Sequence, residues 1–550
     1  MRNRSRIFLC AGALFSFAAF SPEPPVCNTD LCRLISGGSL PELARPDFSD
    51  RRQDLVRLYE LSESRPLWVQ GPNLTSQAVK IIDVLKNAGS EGLDPQDYDG
   101  PRWDGRIAAL RNGSISPERF DLALSVSAMR YASGLRFGRA NPNGTQGAFR
   151  VGDHDADIST WVFQRMVSSS DPKAAFEDLD PPFDSYRRLR TILANYERIA
   201  WPDDGNKLPV PGKPVDPGQP YEGISRLTAL LQRIGDLAPS AGAPNSTVYG
   251  GALVNAVKRF QLRHGLDPDG RLGAKTVEEL NTPLVHRVRQ LQLALERMRW
   301  LPRDSSQPFI IVNIPEFRLR ALSASGKTEL EMKVVVGKAQ RLQTPSFRAD
   351  MKYVIFRPYW NVPPSIQRKE LVPDIEKDHS YLAKNGYEVI DPSGRVVSAG
   401  AISSGVLAGL QDGKFQIRQR PGAKNALGGV KFMLPNPNDV YLHDTPSRQL
   451  FSRTRRDFSH GCIRLERAVD LAVWVLRDRP AWTRGRIQAA MTAGGPPLQV
   501  NLSHPIPVLI VYQTAVAGDD GLAYFFDDIY GQDDVLDQQL ISPGSGRLTS

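Results

Sequence analysis

The sequence predicts a multidomain α+β protein: a helical scaffold, a small three-helix module, and a β-rich domain with a helical capping insertion. Three observations support this fold class. The chain has 550 residues, more than one ordinary hydrophobic core accommodates. Apolar residues recur at helical spacing in the first half and form β-branched runs bounded by Pro and Gly in the second. A Pro-rich segment, 202–221, separates the first helical part from the rest.

The composition is that of a globular protein with a basic surface. Hydrophobic residues make up 41% and charged residues 23% of the chain, which excludes a wholly disordered protein. The net charge of +9 favours anionic partners, among them nucleic acid, phospholipid and anionic polymers. We recognise no cluster of base-contacting elements in the sequence, so we expect no nucleic-acid binding.

The N-terminus has the residue order of a secretory signal. Three arginines, at positions 2, 4 and 6, precede an apolar run from Ile7 to Phe20, and small residues and Pro22 follow. The run is shorter than the roughly 20 residues of a membrane-spanning helix. We therefore expect residues 1–21 to be a signal peptide for export. Because Pro22 would hinder cleavage after Ser21, an uncleaved membrane anchor is the alternative.

The chain has four cysteines, and they differ in setting. Cys10 lies in the apolar run. Cys27 and Cys32 are close enough in the sequence for a local disulfide in an oxidising compartment. Cys462 would then remain alone, either as an inert buried thiol or as a reactive group.

Helical patterns fill the first half of the chain. Residues 40–201 contain predicted helices at Ser76–Leu85, Leu122–Leu135 and Asp184–Trp201, and they concentrate no chemical groups, as expected of a scaffold. After the linker 202–221, residues 222–281 form a smaller helical module. It combines the helix Ala252–Gln261 with a Gly-Leu-x-x-Asp-Gly-x-x-Gly-x-x-Thr string that begins at Gly265. A connecting helix is predicted over 282–302.

Strand patterns dominate residues 307–515. The predicted strands are Phe309–Ile314, Met332–Val336, Lys352–Phe356, Asp439–His443 and Pro507–Gln513. An insertion at 365–420, helix-rich over Ser365–Gly386, is typical of a lid, with a simple surface excursion as the alternative. Residues 516–550 contain seven aspartates among aromatic residues, and we expect a solvated acidic tail.

The segment around Cys462 has the groups that acyl transfer by a thiol requires. A thiol at neutral pH needs a proton acceptor, and the developing oxyanion needs backbone N–H donors, which Gly461 would expose in a tight turn. We expect His443 to be the base, because His460 lies two residues before the cysteine and would point away. A helix predicted over Leu465–Leu476 would place its dipole at Cys462 and favour the thiolate. A zinc site is the alternative, but a fourth ligand at the usual spacing is missing, so we expect no metal and no cofactor.

Two segments resemble known families. His443 followed by Ser-His-Gly-Cys at 459–462 resembles the signature of L,D-transpeptidases with a YkuD-type catalytic domain, and 358–363 and 425–428 extend the resemblance. The module 222–281 resembles the peptidoglycan-binding type 1 domain. The whole chain is most similar to the large Gram-negative type, which joins a scaffold, a peptidoglycan-binding domain and a catalytic domain with a capping insertion.

The resemblance implies a role for each matching residue. Cys462 would be the nucleophile, His443 the proton acceptor, and the N–H groups of Gly461 and Cys462 the oxyanion donors. His460 would have a supporting role, and the backbone carbonyl of Asp444 would orient the His443 ring. Many family members have Asn where this chain has Arg464, and we interpret this arginine as a contact for a stem-peptide carboxylate. The expected substrate-binding residues are Arg464, Ser459, Tyr441, Trp360 and Asn361.

The implied activity is a 3→3 cross-link between peptidoglycan stem peptides through a Cys462 thioester, in the periplasm. The implied partners are stem peptides and glycan, carbapenem inhibitors, and other proteins of wall synthesis. A hydrolase or transferase of the same fold, acting on links between lipoprotein and peptidoglycan, is the main alternative. A cysteine endopeptidase of unrelated fold usually has its cysteine before its histidine, which is the reverse of the order here. An inert wall-binding protein would not need the intact His443, Gly461 and Cys462.

Overall fold

The computed structural model describes residues 29–142, 147–148, 157–200, 205–240, 247–303, 306–400 and 402–541. The expected signal peptide 1–21, Cys10 and Cys27 lie outside these residues. Cys32 is disulfide-bonded. Across the described ranges, none of the helices combines the length and the apolar character needed to cross a bilayer.

The N-terminal part is helical. Its helices are α1 Asp30–Gly37, α2 Arg52–Leu61, α3 Ser76–Lys86, α4 Trp103–Arg111, α5 Pro117–Phe137, α6 Ile158–Val162, α7 Pro172–Glu177 and α8 Asp184–Ala200. Its short strands are β1 Val69–Gln70, β2 Asn73–Leu74 and β3 Gly147–Ala148. The three predicted helices correspond to α3, α5 and α8, although Trp201 is outside the described residues.

Helix α5 is the centre of this part, since most of its residues are buried. It begins after Ser116, whose hydroxyl accepts the Arg119 N–H at 3.3 Å, and Pro117 is its first residue, a favoured combination at a helix start. Within α5, Asp121 accepts the Trp68 N–H at 2.6 Å and the Tyr59 hydroxyl at 2.7 Å. Burial is the largest cause that raises the pKa of Asp121 to about 6.

The three-helix module consists of α9 Ile224–Arg233, α10 Ala252–Arg263 and α11 Ala274–Leu280, and α12 Leu284–Arg299 follows it. The Pro-rich segment 202–221, predicted to be a linker before the module, is packed in its described residues. Leu208, Val215 and Tyr221 are buried, and Val215 forms a β-bridge with Leu272. The segment therefore contributes to the core of the module.

The C-terminal domain is built on a large sheet. Its strands, apart from those of the insertion, are β4 Phe309–Asn313, β5 Arg318–Leu322, β6 Thr328–Gly337, β7 Ser346–Phe356, β12 Val430–Met433, β13 Leu442–His443, β14 Asp457–Ser459, β15 Ile463–Leu465 and β16 Leu498–Val511, and its helices are α17 Ala468–Val475 and α18 Arg484–Thr492. The strand order is β12-β13-β15-β6-β5-β4-β16-β7, and β3 and β14 pair with β7 and β6 respectively. Because β7 pairs with both β16 and β12, the sheet closes on itself.

Two local predictions in this domain need correction. The helix predicted over Leu465–Leu476 begins only at Ala468, and Ile463–Leu465 is a strand paired with β13 and β6. The strand predicted over Asp439–His443 is limited to its last two residues. The β-branched and apolar residues of 463–465 face the closed core, and this burial decides their conformation.

The insertion is a compact unit of helices and strands. Its elements are β8 Trp360–Asn361, α13 Pro364–Ile366, α14 Val372–Lys377, α15 Tyr381–Lys384, β9 Tyr387–Ile390, β10 Val396–Ser398, α16 Ser404–Gln411 and β11 Gln416–Gln419, with a π-helical turn at Gln367–Leu371. Ser365–Gly386 is helix-rich as predicted, but the remainder adds a four-stranded sheet in the order β10-β9-β11-β8. Val362, Ile375 and Ile417 lie fully buried in a core of its own.

The C-terminal segment contains β17 Ala515–Ala517, β18 Ala523–Phe525 and α19 Gln532–Ile541. The interpretation of this end as a solvated acidic tail is wrong for residues 516–541. Phe525 is fully buried in the core shared with α8, α10 and α12. Asp533 is buried and pairs with Arg297, and Asp537 pairs with Arg289. Arginines of α12 therefore hold α19 against the body of the protein.

Candidate active site

Cys462 lies in a tight turn between β14 and β15. The Ser459 hydroxyl donates to the Cys462 carbonyl at 2.6 Å and accepts the Gly461 N–H at 3.1 Å. Gly461 has φ +116°, which side chains disfavour. The thiol itself donates weakly to the Asp439 carbonyl at 3.8 Å, and Cys462 is the free cysteine among the residues described.

The same turn changes one expectation about the oxyanion donors. Because the Gly461 N–H already bonds to Ser459, it is not available to a substrate oxygen in this conformation. The Cys462 N–H has no hydrogen-bond partner in the described part of the chain. The expected helix dipole also does not act directly on the thiol, since strand β15 lies between Cys462 and the start of α17 at Ala468.

Strand register places three polar side chains in one row beside the turn. Lys431 of β12 is the cross-strand partner of His443 in β13, and His443 is the partner of Arg464 in β15. Cross-strand partners project from the same face of a sheet. Lys431 was not singled out from the sequence, although it interrupts an otherwise apolar strand between Val430 and Phe432.

The environment of His443 fixes its tautomer. The side chain is buried, and Nδ1 lies 2.5 Å from the Asp444 carbonyl oxygen. A carbonyl can only accept, so Nδ1 carries the proton and Nε2 of the neutral ring presents a lone pair. Burial is the largest cause that lowers the pKa of His443 to about 3, and the positive charges of Arg464 and Lys431 add to it. The ring is therefore neutral at physiological pH.

Asp444 is itself held by several contacts. Its N–H donates to the Val430 carbonyl at 2.9 Å, and Oδ2 accepts the Gly429 N–H at 2.9 Å. Oδ1 pairs with Arg448. Gly428 has φ +60°, and a Cβ there would collide with the Asp444 carboxylate. These contacts fix the carbonyl that orients His443.

The thiol is also neutral at rest. Burial raises the pKa of Cys462 above its usual value, against hydrogen bonds from the backbone and hydroxyl of Tyr441 and the charges of Lys431 and Arg464, which lower it. The Lys431 Nζ lies 3.6 Å from the centroid of the Tyr441 ring, a cation–π contact. The expected thiolate, held beside an imidazolium, is therefore not the resting state of the site.

The remaining predicted residues divide into two groups. Arg464 belongs to the row, and its Nε is buried without a hydrogen-bond partner among the described residues. His460 faces the insertion, where Nε2 lies 2.6 Å from Oε1 of Glu370. Trp360 and Asn361 form β8 at the base of the insertion, and Trp360 packs against its core. Within the described contacts, these two residues do not reach Cys462.

In the described ranges, no group of three or more His, Cys, Asp and Glu side chains could hold a metal ion.

The site and the strands around it, apart from β16, fall within a match to a known family. Residues 307–487 match the YkuD model, described as "L,D-transpeptidase catalytic domain". Residues 307–487 therefore form a YkuD-type domain. This confirms the resemblance inferred from His443 and the Ser-His-Gly-Cys motif. Residues 53–193 match a "Scaffold domain" and residues 221–280 a "Putative peptidoglycan binding domain", so all three families expected from the sequence are present.

Individual proteins match the chain over part of its length. A "Putative L,D-transpeptidase" of Haemophilus influenzae is 33% identical over 249 residues, which cover 44% of this chain and 48% of the relative. The match thus spans about half the length of that curated relative. The solved structure of an L,D-transpeptidase (residues 123–326) from Xylanimonas cellulosilytica matches at 17% identity with a TM-score of 0.18, covering 55% of this chain and 100% of that one. A TM-score this low does not bear on the architecture.

Because Cys462 and His443 are both neutral at rest, the thiol is expected to react with alkylating agents mainly at alkaline pH. Alkylation by iodoacetamide should rise only at alkaline pH and show no inflection between about pH 5 and 8, because no imidazolium forms there to hold a thiolate. Lys431→Gln should move the rise to higher pH, because the charge of Lys431 lowers the pKa of Cys462, whereas Lys431→Arg should not.

The measurement is the alkylation rate of the Cys462 peptide against pH by mass spectrometry. Lys352→Gln removes an exposed lysine of β7 and serves as the matched control. An alkylation rate that rises to a plateau with a midpoint near pH 6 would contradict the neutral states of Cys462 and His443.

Proposed function

We propose that this protein forms 3→3 cross-links between peptidoglycan stem peptides through a thioester on Cys462. The observation that carries the proposal is a half-buried thiol two residues from Arg464, whose cross-strand partner is a neutral histidine with a free Nε2 lone pair, inside a YkuD-type domain. The match to a peptidoglycan-binding domain at 221–280 supports peptidoglycan as the substrate. A periplasmic location follows from this substrate and from the expected signal at 1–21.

The first half-reaction transfers the donor peptide to the enzyme. His443 Nε2 takes the proton from Sγ as the sulfur attacks the carbonyl at the L-centre of diaminopimelate. The carbonyl oxygen becomes an oxyanion, which the Cys462 N–H would stabilise together with the positive charges of Lys431 and Arg464. The C–N bond then breaks, His443 returns the proton to the amine of the departing D-alanine, and a thioester remains.

The second half-reaction releases the product. The side-chain amine of another stem peptide attacks the thioester and gives a proton to His443. The C–S bond breaks, the new amide forms, and the sulfur regains its proton from His443. One amide bond is broken and one is formed, so no energy source or cofactor is consumed.

Arg464, one of the two cations in the row, is proposed to recognise the substrate. The buried, unpaired Nε of Arg464 is costly unless a ligand satisfies it, and a stem-peptide carboxylate is the anion available in this substrate. Tyr441 and Ser459 contribute indirectly, through hydrogen bonds to Cys462. Trp360 and Asn361 would meet the substrate only through the insertion to which they belong.

The insertion is proposed to be a lid over the thioester. Glu370, in its π-helical turn, bonds to His460, which is two residues from Cys462. Asn425 fastens the base of the insertion by donating to the carbonyls of Pro358 and Arg420, both at 3.0 Å. A closed lid excludes water, so it would favour attack by an amine over hydrolysis. This favours a transpeptidase over a hydrolase acting on links to lipoprotein.

Cys462→Ala is expected to abolish cross-linking and leave the fold intact, because it removes the sulfur but no core contact. A double Cys27→Ser/Cys32→Ser variant should remain active, since these residues lie far from the site in sequence. Mass analysis of muropeptides, from purified reactions and from cells with and without the protein, measures both effects. Full cross-linking by Cys462→Ala would refute the proposal, and loss of lipoprotein-linked species alone would favour the hydrolase.

A carbapenem is expected to acylate Cys462, because its strained carbonyl imitates the peptide carbonyl and uses the same oxyanion donor. Intact-protein mass spectrometry should find one added drug mass in the native chain and none in Cys462→Ala. Persistent absence of the adduct in the native chain after long incubation would contradict the proposed pocket.

Loss of the lid contact is expected to change product partitioning more than rate. Glu370→Ala should raise the ratio of free tripeptide to cross-linked product by up to about fivefold, since one exposed side-chain contact stabilises the closed state by at most about 1 kcal/mol. A larger change in this ratio is expected when 361–418 is replaced by Asn-Gly, since the whole lid is then removed. The replacement is feasible because Trp360 and Gln419 are cross-strand partners that a two-residue turn can join.

Glu376→Ala is the matched control, since this glutamate bonds only to Gln411 within the insertion among the described contacts. The assay is product analysis on a tetrapeptide donor with an amine acceptor, with carbapenem uptake as the test of an intact thiol. An unchanged product ratio in both the Glu370 variant and the deletion would rule out a catalytic lid.

A further inference from the structure

One side chain of the C-terminal segment, Tyr530, contacts the surroundings of Cys462 from outside the YkuD match at 307–487. Its hydroxyl donates to the Gly337 carbonyl at 2.6 Å and accepts the Thr344 N–H at 3.3 Å. Gly337 ends β6, and Thr344 lies just before β7. Tyr530 therefore bridges the two ends of the loop between these strands.

Thr344 continues the connection to the turn that holds Cys462. Its hydroxyl donates to the Gly461 carbonyl at 2.7 Å and accepts the Gly337 N–H at 2.9 Å, and the residue is fully buried. The Gly461 carbonyl and the Cys462 N–H belong to the same peptide unit. Because that unit is planar, a fixed Gly461 oxygen also fixes the direction of the Cys462 N–H.

The two ends of the loop between β6 and β7 are in close contact. A Cβ on Gly337 would lie 2.8 Å from the Thr344 nitrogen, so the two chain segments touch. The Lys338 N–H donates to the Ser459 carbonyl at 3.0 Å. The loop and the turn that holds Cys462 thus share two hydrogen bonds, and Tyr530 bridges the two ends of the loop.

Tyr530 is anchored in turn by its own segment. Its N–H donates to the Tyr512 hydroxyl at 2.8 Å, and the two rings stack with centroids 5.6 Å apart. The Tyr512 hydroxyl donates to Asp528, whose carboxylate also accepts the N–H groups of Gln532 and Asp533 at 2.8 Å each. Asp528 thereby joins Tyr530 to the start of α19.

We propose that Tyr530 is a positioning residue for the reaction at Cys462. Through Thr344 it holds the Gly461–Cys462 peptide so that the Cys462 N–H faces the oxyanion. The inference rests on the proposed acyl transfer. It requires that loss of the Tyr530 hydroxyl weaken the tetrahedral intermediate and leave the acidity of the thiol unchanged.

The test compares Tyr530→Phe with Tyr524→Phe, a matched control whose hydroxyl bonds to Asp520 within the same segment. Tyr530→Phe should lower kcat for thioester formation by roughly 10- to 100-fold, the usual cost of a small misplacement, with KM within about twofold. The pH profile of Cys462 alkylation should not move. Thr344→Val should give the same pattern, and Thr344→Ser, which retains the hydroxyl, should restore the native rate.

Four outcomes would overturn the inference. Equal kcat in the Tyr530 and Tyr524 variants would exclude a positioning role. A shift of the alkylation profile in step with kcat would indicate an effect on the thiol instead. If Tyr530→Phe unfolds in thermal denaturation, the Thr344→Val and Thr344→Ser pair decides, and equal rates in these two overturn it. A native chain without turnover would refute the proposed function and this inference together. An active native chain in which Tyr530→Phe has no effect would refute this inference alone.

Discussion

The hydrogen bond from His443 Nδ1 to the Asp444 carbonyl is the constraint on which the chemistry of this site depends. It fixes the proton on one ring nitrogen and leaves the other as the acceptor. A backbone carbonyl brings no charge, so its hydrogen bond raises the pKa of His443 less than burial lowers it. The cross-strand neighbours Lys431 and Arg464 oppose protonation further. Cys462 and His443 are therefore both uncharged at rest.

Those same two cations have opposite effects on the two partners. They disfavour an imidazolium at His443 and favour a thiolate at Cys462. An anionic tetrahedral intermediate therefore gains from their field. The arrangement stabilises negative charge on sulfur and oxygen more than positive charge on the base, which is the balance required at the transition state of acyl transfer.

The features that sequence predicted well are those encoded locally. The β-branched runs gave β4, β6, β7 and β16, and the Ser-His-Gly-Cys motif is contiguous around Cys462. Lys431 could not be predicted, because its proximity to His443 depends on the register between two separate strands. The C-terminal helix was misjudged because composition counts each aspartate as solvated. Asp533 and Asp537 are instead paired with Arg297 and Arg289 of α12, partners that no local pattern reveals.

The insertion enters the domain through β8 and leaves through β11, and these strands are hydrogen-bonded neighbours. The insertion is therefore equivalent to a loop whose two ends are fixed next to each other on the barrel. The entropy of closing such a loop grows only slowly with its length, and the unit has its own hydrophobic core. Residues can be added to it or exchanged within it without disturbing the register of the barrel strands. The insertion is thus free to diverge, while the strands that fix Lys431, His443 and Arg464 are not.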